Sequence, residues 1–244
     1  MRYMIMHKTS AHWEAGAKPT PELIQRVGGM IGGMISAGIM VAGEGLGPSS
    51  QGVRVRIKDG RPGFEPGPFS GIDAVPARYA LFRAATVEVA GGIAARFGGI
   101  FGDVVVDVRP VNEAWDLGFA PKPEGLKTRR YMATVNTDAA SEIGAPLKPA
   151  QISALAAFTG ELKNADAFLA LEHFQPTAKG KRLRLPADGK GKHVVRDGPF
   201  TESKELIGGF ATVEVPSIGD AVHWAGVYAA AVDVEEIDVR GLEP

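Results

Sequence analysis

The chain repeats itself. Arg2-Tyr3-Met4 returns as Arg130-Tyr131-Met132, an offset of 128 residues (131 − 3 = 128). At that offset Pro21 meets Pro149, Glu44 meets Glu172, Pro48 meets Pro176 and Gly52 meets Gly180, while Arg54 and Arg56 meet Arg182 and Arg184. Chance does not align scattered Pro, Gly, Glu and Arg positions without a gap. Further on the offset moves. Gly67-Pro68-Phe69 pairs with Gly198-Pro199-Phe200 (198 − 67 = 131), Asp107-Val108-Arg109 pairs with Asp238-Val239-Arg240, and Ala85-Thr86-Val87-Glu88-Val89 aligns with Ala211-Thr212-Val213-Glu214-Val215 (211 − 85 = 126). A period of this size makes the 244 residues two copies of one unit. The copies are read as a first module over 1–111, a linker over 112–128 carrying the turn formers Pro121, Pro123 and Gly125, and a second module over 129–244. The first copy is assigned the longer connection after Phe69.

Residues 2–7 form a short apolar run and are read as a strand. Thr20-Pro21 starts a helix, because Thr can cap a free N–H and Pro suits the first helical position. Leu23, Ile24, Val27, Met30, Ile31 and Met34 recur at three- and four-residue spacing, as do Ile152, Leu155, Phe158 and Leu162 in the second copy. Strands over 39–46 and 53–57 flank the turn chemistry of Gly47-Pro48-Ser49-Ser50. A strand ending at Val89, or at Val215, follows the Gly-Pro-Phe loop. Ser217 and Asp220 then form a capping box for a helix over 220–230. Closing strands span 104–108 and 235–239. The order β-α-β-β-β-α-β is an α+β, ferredoxin-like split βαβ with one added strand. A sheet covered by helices on one face leaves its other face to be buried. The expected fold is therefore two tandem ferredoxin-like modules packed face to face, an intramolecular pseudo-dimeric α/β barrel.

Composition removes several functions. The formal net charge is −1, which argues against nucleic acid as a partner. There is no cysteine, so disulfides, iron–sulfur clusters and thiol nucleophiles are excluded. None of the five histidines, His7, His12, His173, His193 and His223, forms a paired metal-ligand spacing, and no metal or cofactor is expected. The apolar stretch over 30–41 is broken by glycines and too short to span a bilayer. The chain reads as cytoplasmic, without a membrane partner, and as a monomer or weak homo-oligomer.

Asp197-Gly198-Pro199-Phe200, followed by Glu202, Lys204, Glu205, Gly208 and Gly209, resembles the signature of the DGPF subfamily of YCII-related domains. Glu44-Gly45-Leu46-Gly47-Pro48 and Asp107-Val108-Arg109-Pro110 are similar to two further stretches of that family. The resemblance implies a dimeric ferredoxin-like α/β barrel, and it implies no settled reaction. Some members are similar to proteins encoded beside extracytoplasmic-function sigma factors. In the first copy Glu65-Pro66 precedes Gly67, so the signature Asp is missing there. The His and Asp suggested as a catalytic pair in other YCII-related proteins have no counterpart in these helices.

Candidate site residues follow from residue type and position. Asp197, before a Gly-Pro turn, is either a turn cap or a carboxylate at a cavity mouth. His173 beside Glu172 is the acid/base candidate. Arg182 and Arg184 alternate on a strand and share one face, where they either grip an anionic ligand together with Phe200 or pair with Glu172. Glu44 stands in the same relation to Arg54 and Arg56. Only the second copy keeps Asp197 and His173, so any site is expected there. His12-Trp13-Glu14 reads either as a loop closing over a pocket or, the plainer reading, as a surface loop. Two functions remain open: a protein binding a small molecule, anionic or neutral, with cofactor-free acid/base catalysis as an extension, and a non-catalytic regulatory or interaction module.

Overall fold

The computed structural model describes residues 1–71, 75–184, 194–200 and 206–243. His193, Glu202, Lys204 and Glu205 lie outside them. In the first half of the chain the elements are β1 (Arg2–Lys8), α1 (Ala11–Glu14), α2 (Pro21–Ser36), β2 (Met40–Gly45), β3 (Val53–Lys58), β4 (Arg61–Pro66), β5 (Pro76–Ala84), α3 (Val87–Gly99) and β6 (Val105–Pro110). The second half gives the same order: β7 (Arg129–Asn136), α4 (Ala139–Glu142), α5 (Pro149–Asn164), β8 (Phe168–His173), β9 (Lys181–Arg184), β10 (Val194–Asp197), β11 (Ile207–Glu214), α6 (Ile218–Val232) and β12 (Glu236–Gly241). No helix among the described residues is long and apolar enough to cross a membrane.

The strands make two antiparallel six-stranded sheets, in the orders β10-β9-β12-β1-β11-β2 and β4-β3-β6-β7-β5-β8. Each is an α+β, ferredoxin-like sheet. Neither draws on one half alone. Strand β1 lies between β11 and β12, and β7 lies between β5 and β6. One lobe is thus built from β3 to β8, a continuous stretch, and will be called central. The other joins β1 and β2 to β9–β12 from the far end of the chain and will be called terminal. The repeat and the sheets divide the chain at different places. Residues 112–128 carry no helix or strand and connect two neighbouring strands of the central sheet.

Alternation along the strands separates the cores. From β1, Tyr3 and Ile5 pack with Met30 and Met34 of α2 and Ala221, Ala225 and Tyr228 of α6, while Met4 and Met6 face the opposite sheet. The central lobe does the same: Ala80, Phe82, Ala133 and Val135 meet α3 and α5, where Phe97 stacks on Phe158, and Tyr79, Leu81 and Met132 turn inward. The inward set joins Phe174, Phe210 and Leu242 in one layer between the sheets, with Tyr79 and Phe210 ring centroids 5.8 Å apart. The sheets face each other as expected. Among the described residues no continuous ladder closes them into one barrel; single bridges, Leu46–Val111 and Phe174–Leu242, tie them at two corners.

Local signals account for most element ends. Thr20 accepts from Leu23 N–H with Pro21 at the start of α2, and Ser217 forms its capping box with Asp220. Three expectations change. Each half has six strands, not five: β4 and β10 add a hairpin to β3 and β9. Val87 and Val89 lie in α3, capped by Thr86, and not in a strand; the matching cap is Ser217, so the offset stays at 131 (217 − 86) and the alignment at 126 is spurious. Finally, the connection after Phe69 is not the longer one: residues 70–75 lead to β5 and residues 201–206 lead to β11, the same length in both halves.

Candidate functional site

The charged residues singled out in the sequence are paired to each other. Arg182 grips Asp238 with both nitrogens of its fork, Nε to Oδ1 at 2.6 Å and Nη2 to Oδ2 at 2.9 Å, and its guanidinium lies 4.5 Å from the centre of the Phe200 ring. Lys8 reaches the same carboxylate at 2.8 Å. Burial works against ionisation of Asp238, but Lys8 and Arg182 outweigh it and hold its acidity below the ordinary carboxylate range. The first half repeats the design with Arg54, Asp107 at 2.6 and 2.9 Å, and Phe69 at 4.6 Å. Gly67-Pro68 and Gly198-Pro199 are both cis. A Cβ on Gly67 or Gly198 would run into the carbonyl oxygen of Ser49 or Thr177. The Gly-Pro-Phe loop therefore brings Phe onto a buried ion pair, and its glycine is there for close approach.

Arg184 pairs with Glu236 at 2.8 Å and is mostly exposed. Glu172 pairs with Arg2, and Glu44 pairs with Arg130, so the two glutamates are not the partners of the strand arginines. These two pairs run between the lobes at equivalent places. Asp197 ends β10 with its side chain 75% exposed and pairs with Lys181. His173 ends β8, partly buried, with its ring centre 6.4 Å from that of Phe101. Burial and then Arg78 push its pKa down to about 4. No hydrogen bond or ion pair joins Asp197 to His173 among the described residues.

A cavity of about 340 Å³ opens elsewhere, in the terminal lobe. Trp13, Leu23, Val27, Leu117 and Val232 supply apolar wall, and His7, Lys18 and Asn112 supply polar groups. Arg109 holds the segments around it. This buried side chain donates to the Gly47 and Ile207 carbonyls, at 2.9 and 2.6 Å, and to Glu14 at 2.7 Å. Those contacts fix the β2 exit, the β11 entry and α1, which carries Trp13. Trp13 is thus part of a wall, the less favoured of the two readings its loop allows.

His7 is the chemically distinctive group on that wall. Its Nδ1 lies 2.8 Å from the Tyr228 hydroxyl, and no other hydrogen bond to the ring exists among the described residues. Burial first, then Arg109 and Lys8, lower its pKa to about 4, so the ring is neutral at pH 7. Glycines make its room: a Cβ on Gly208 would stand 2.6 Å from Nε2, and one on Gly209 2.8 Å from Cε1.

The central lobe shows why the cavity exists. At the positions of Gly45, Gly208, Gly209 and Val232 it has His173, Ala77, Arg78 and Phe101. Arg78 fills the space, buried and stacked 3.8 Å from the centre of Phe101. At the positions of His7 and Tyr228 it has Val135 and Phe97, both in its apolar core. Gly45, Gly209 and Val232 leave room in one lobe where His173, Arg78 and Phe101 stand in the other. The signal was readable in principle, since His7 breaks an apolar strand whose copy carries Val135.

Fold and site together define an α+β protein of two ferredoxin-like lobes, one of them hollowed by a cavity with a neutral histidine on its wall. Residues 130–233 match the family model of the YCII-related domain. The match begins in β7 of the central sheet and ends just past α6 of the terminal lobe, so it crosses from one lobe to the other. No curated protein matches the chain, and no solved structure does.

Proposed function

We propose that this chain is a cofactor-free small-molecule-binding protein made of two YCII-related copies of the DGPF kind, over 1–111 and 129–244, with its ligand in the cavity at His7. The equal element order of the two halves and the twice-built arginine–phenylalanine stack support the tandem reading. The observation that carries the ligand reading is the difference between the lobes. A repeat that needed only packing would fill both equivalent places, yet one is plugged by Arg78 and the other is left open at about 340 Å³, a volume suited to a small metabolite. The open one has a neutral imidazole on its wall, able to hydrogen-bond a ligand without a metal. The strand arginines support the scaffold, since each already has its carboxylate.

Native mass spectrometry of protein purified from its source tests this. Wild type is expected to carry a small molecule that denaturation releases. Val232→Phe, which copies Phe101 of the closed lobe, is expected to fold and lose it. Equal retention by that variant would place the ligand elsewhere.

A further inference from the structure

We infer that Tyr228 locks His7 as the Nε2–H tautomer, so that the cavity offers a hydrogen-bond donor and selects small molecules bearing a carbonyl or carboxylate oxygen. The choice of ligand rests on reading the cavity as a binding site; the tautomer does not, because it belongs to the empty protein. The Tyr228 hydroxyl lies 2.8 Å from Nδ1 and makes no other hydrogen bond among the described residues. It is buried in the helix-facing core of the terminal lobe. A phenol has one proton to place, and a buried polar proton needs an acceptor. Were Nδ1 to carry the ring proton, it would donate to the phenol oxygen and leave the phenol proton without a partner. With the phenol donating to Nδ1, both groups are satisfied, and the ring proton sits on Nε2.

Charge excludes the third state. Arg109 and Lys8 beside the ring, added to burial, disfavour an imidazolium. Burial also holds the Tyr228 phenol above its ordinary range, so it keeps its proton and does not relay it through the ring. His7 then has no free lone pair facing the cavity and serves as a fixed donor, not as a base. Gly208 lets the Nε2 edge of the ring pack close to its backbone, where any Cβ would collide with it. The complementary ligand has an oxygen acceptor at Nε2 and an apolar body against Trp13, Leu23 and Val27. Lys18 on the same wall favours a carboxylate over a neutral carbonyl.

Long-range ¹H–¹⁵N correlation spectra of histidine-labelled protein at pH 7 read the tautomer directly, with the His7→Gln spectrum to assign the signals. The expected pattern is protonated Nε2 and unprotonated Nδ1. Tyr228→Phe copies Phe97 of the other lobe and is expected to fold; its His7 nitrogens should move toward the averaged values of exchanging tautomers. Sodium benzoate and benzamide are then added as acceptor probes, with benzylammonium as a donor-only control of similar size. Benzoate is expected to shift the Nε2 signal most, benzamide less and benzylammonium not at all. An Nδ1–H or charged ring in wild type, or an unchanged ring in Tyr228→Phe, overturns the tautomer assignment. Silence toward both acceptors, or an equal response to benzylammonium, overturns the ligand class. Absence of a retained molecule in the native spectra leaves these ring signals unaffected, so the two readings fail separately.

Discussion

Two histidine rings sit where protons are unwelcome, and this sets how the protein responds to acid. His7 and His173 both have pKa values lowered from 6.5 to about 4 in the folded chain. Between those values the unfolded chain binds protons that the folded chain refuses, so stability rises with pH through this window. The contribution is complete above about 6.5 and disappears as pH falls through about 4, at up to roughly 3 kcal/mol per ring. Thermal melts are expected to drop over this range, and the double variant His7→Gln/His173→Gln should show a flatter profile. A second contrast concerns carboxylates. Asp238→Ala removes the buried carboxylate that Arg182 and Lys8 share and leaves a void, and is expected to cost about 3–5 kcal/mol in denaturant titrations. Asp197→Asn, at an exposed pair, is expected to change stability by about 0.5 kcal/mol or less. Asp197 stands out in the sequence because its motif is conspicuous, whereas the His7–Tyr228 contact does not, because its partners are 221 residues apart. A side chain's type is visible in a sequence, but the burial and contacts that give it chemistry are tertiary.

Elements with strong local signals were legible. The caps at Thr20 and Ser217, the apolar face of α2 and, apart from the exposed Ile152, that of α5 read correctly because each is decided within one or two helical turns. Two were misread for opposite reasons. Helix α3 opens with Val87-Glu88-Val89, whose β-branched alternation mimics a strand, yet the Thr86 cap and the buried Ala90, Ala94 and Phe97 decide for helix. Strand β4 contains Pro62 and Gly63, which argue against a strand, but it lies at a sheet edge, where proline is tolerated. Its Asp59-Gly60 turn, both residues at positive φ, was the available hairpin cue. Glycines separate the same way. Gly28 and Gly29 lie on the exposed side of α2, where an added Cβ would meet nothing within 4 Å. Gly28→Ala and Gly29→Ala are each expected to stabilise by about 0.5–1 kcal/mol in chemical denaturation. Gly67→Ala and Gly198→Ala force a Cβ into a backbone carbonyl and are expected to destabilise strongly, with the Phe69 or Phe200 stack displaced.

At the scale of the whole molecule, the equal element order of the two halves was legible and the exchange of strands between them was not. Hydrophobic alternation tells which face of β1 is buried; it does not tell which edge β1 joins. With Arg-Tyr-Met at the head of both β1 and β7, either half offers an equivalent strand, and the sheets take each from the opposite half. The exchange is tied by the inter-lobe pairs Arg2–Glu172 and Arg130–Glu44 and by the apolar layer shared by both sheets. This arrangement makes a prediction about fragments. A chain ending at Pro121 keeps β1, α2 and β2 but has lost β11 and β12, against which β1 pairs, along with β7, which lies between β5 and β6. Two such chains can restore every one of these pairings by exchanging β1 and β2 between molecules, since each half supplies the same elements. One chain alone cannot restore them and would expose the inter-sheet layer, a large apolar patch. Residues 1–121 are therefore expected either to be insoluble or to unfold as a dimer whose midpoint rises with protein concentration, as read by sedimentation and by thermal melts at several concentrations. Residues 46–175 hold all six central strands with α3 and α5 and should keep a cooperative transition, self-associating through the Tyr79, Leu81 and Met132 face. A monomeric, cooperatively folding 1–121 would show that β1 and β2 can pair within their own half, and the exchanged sheets would then not be what holds this molecule together.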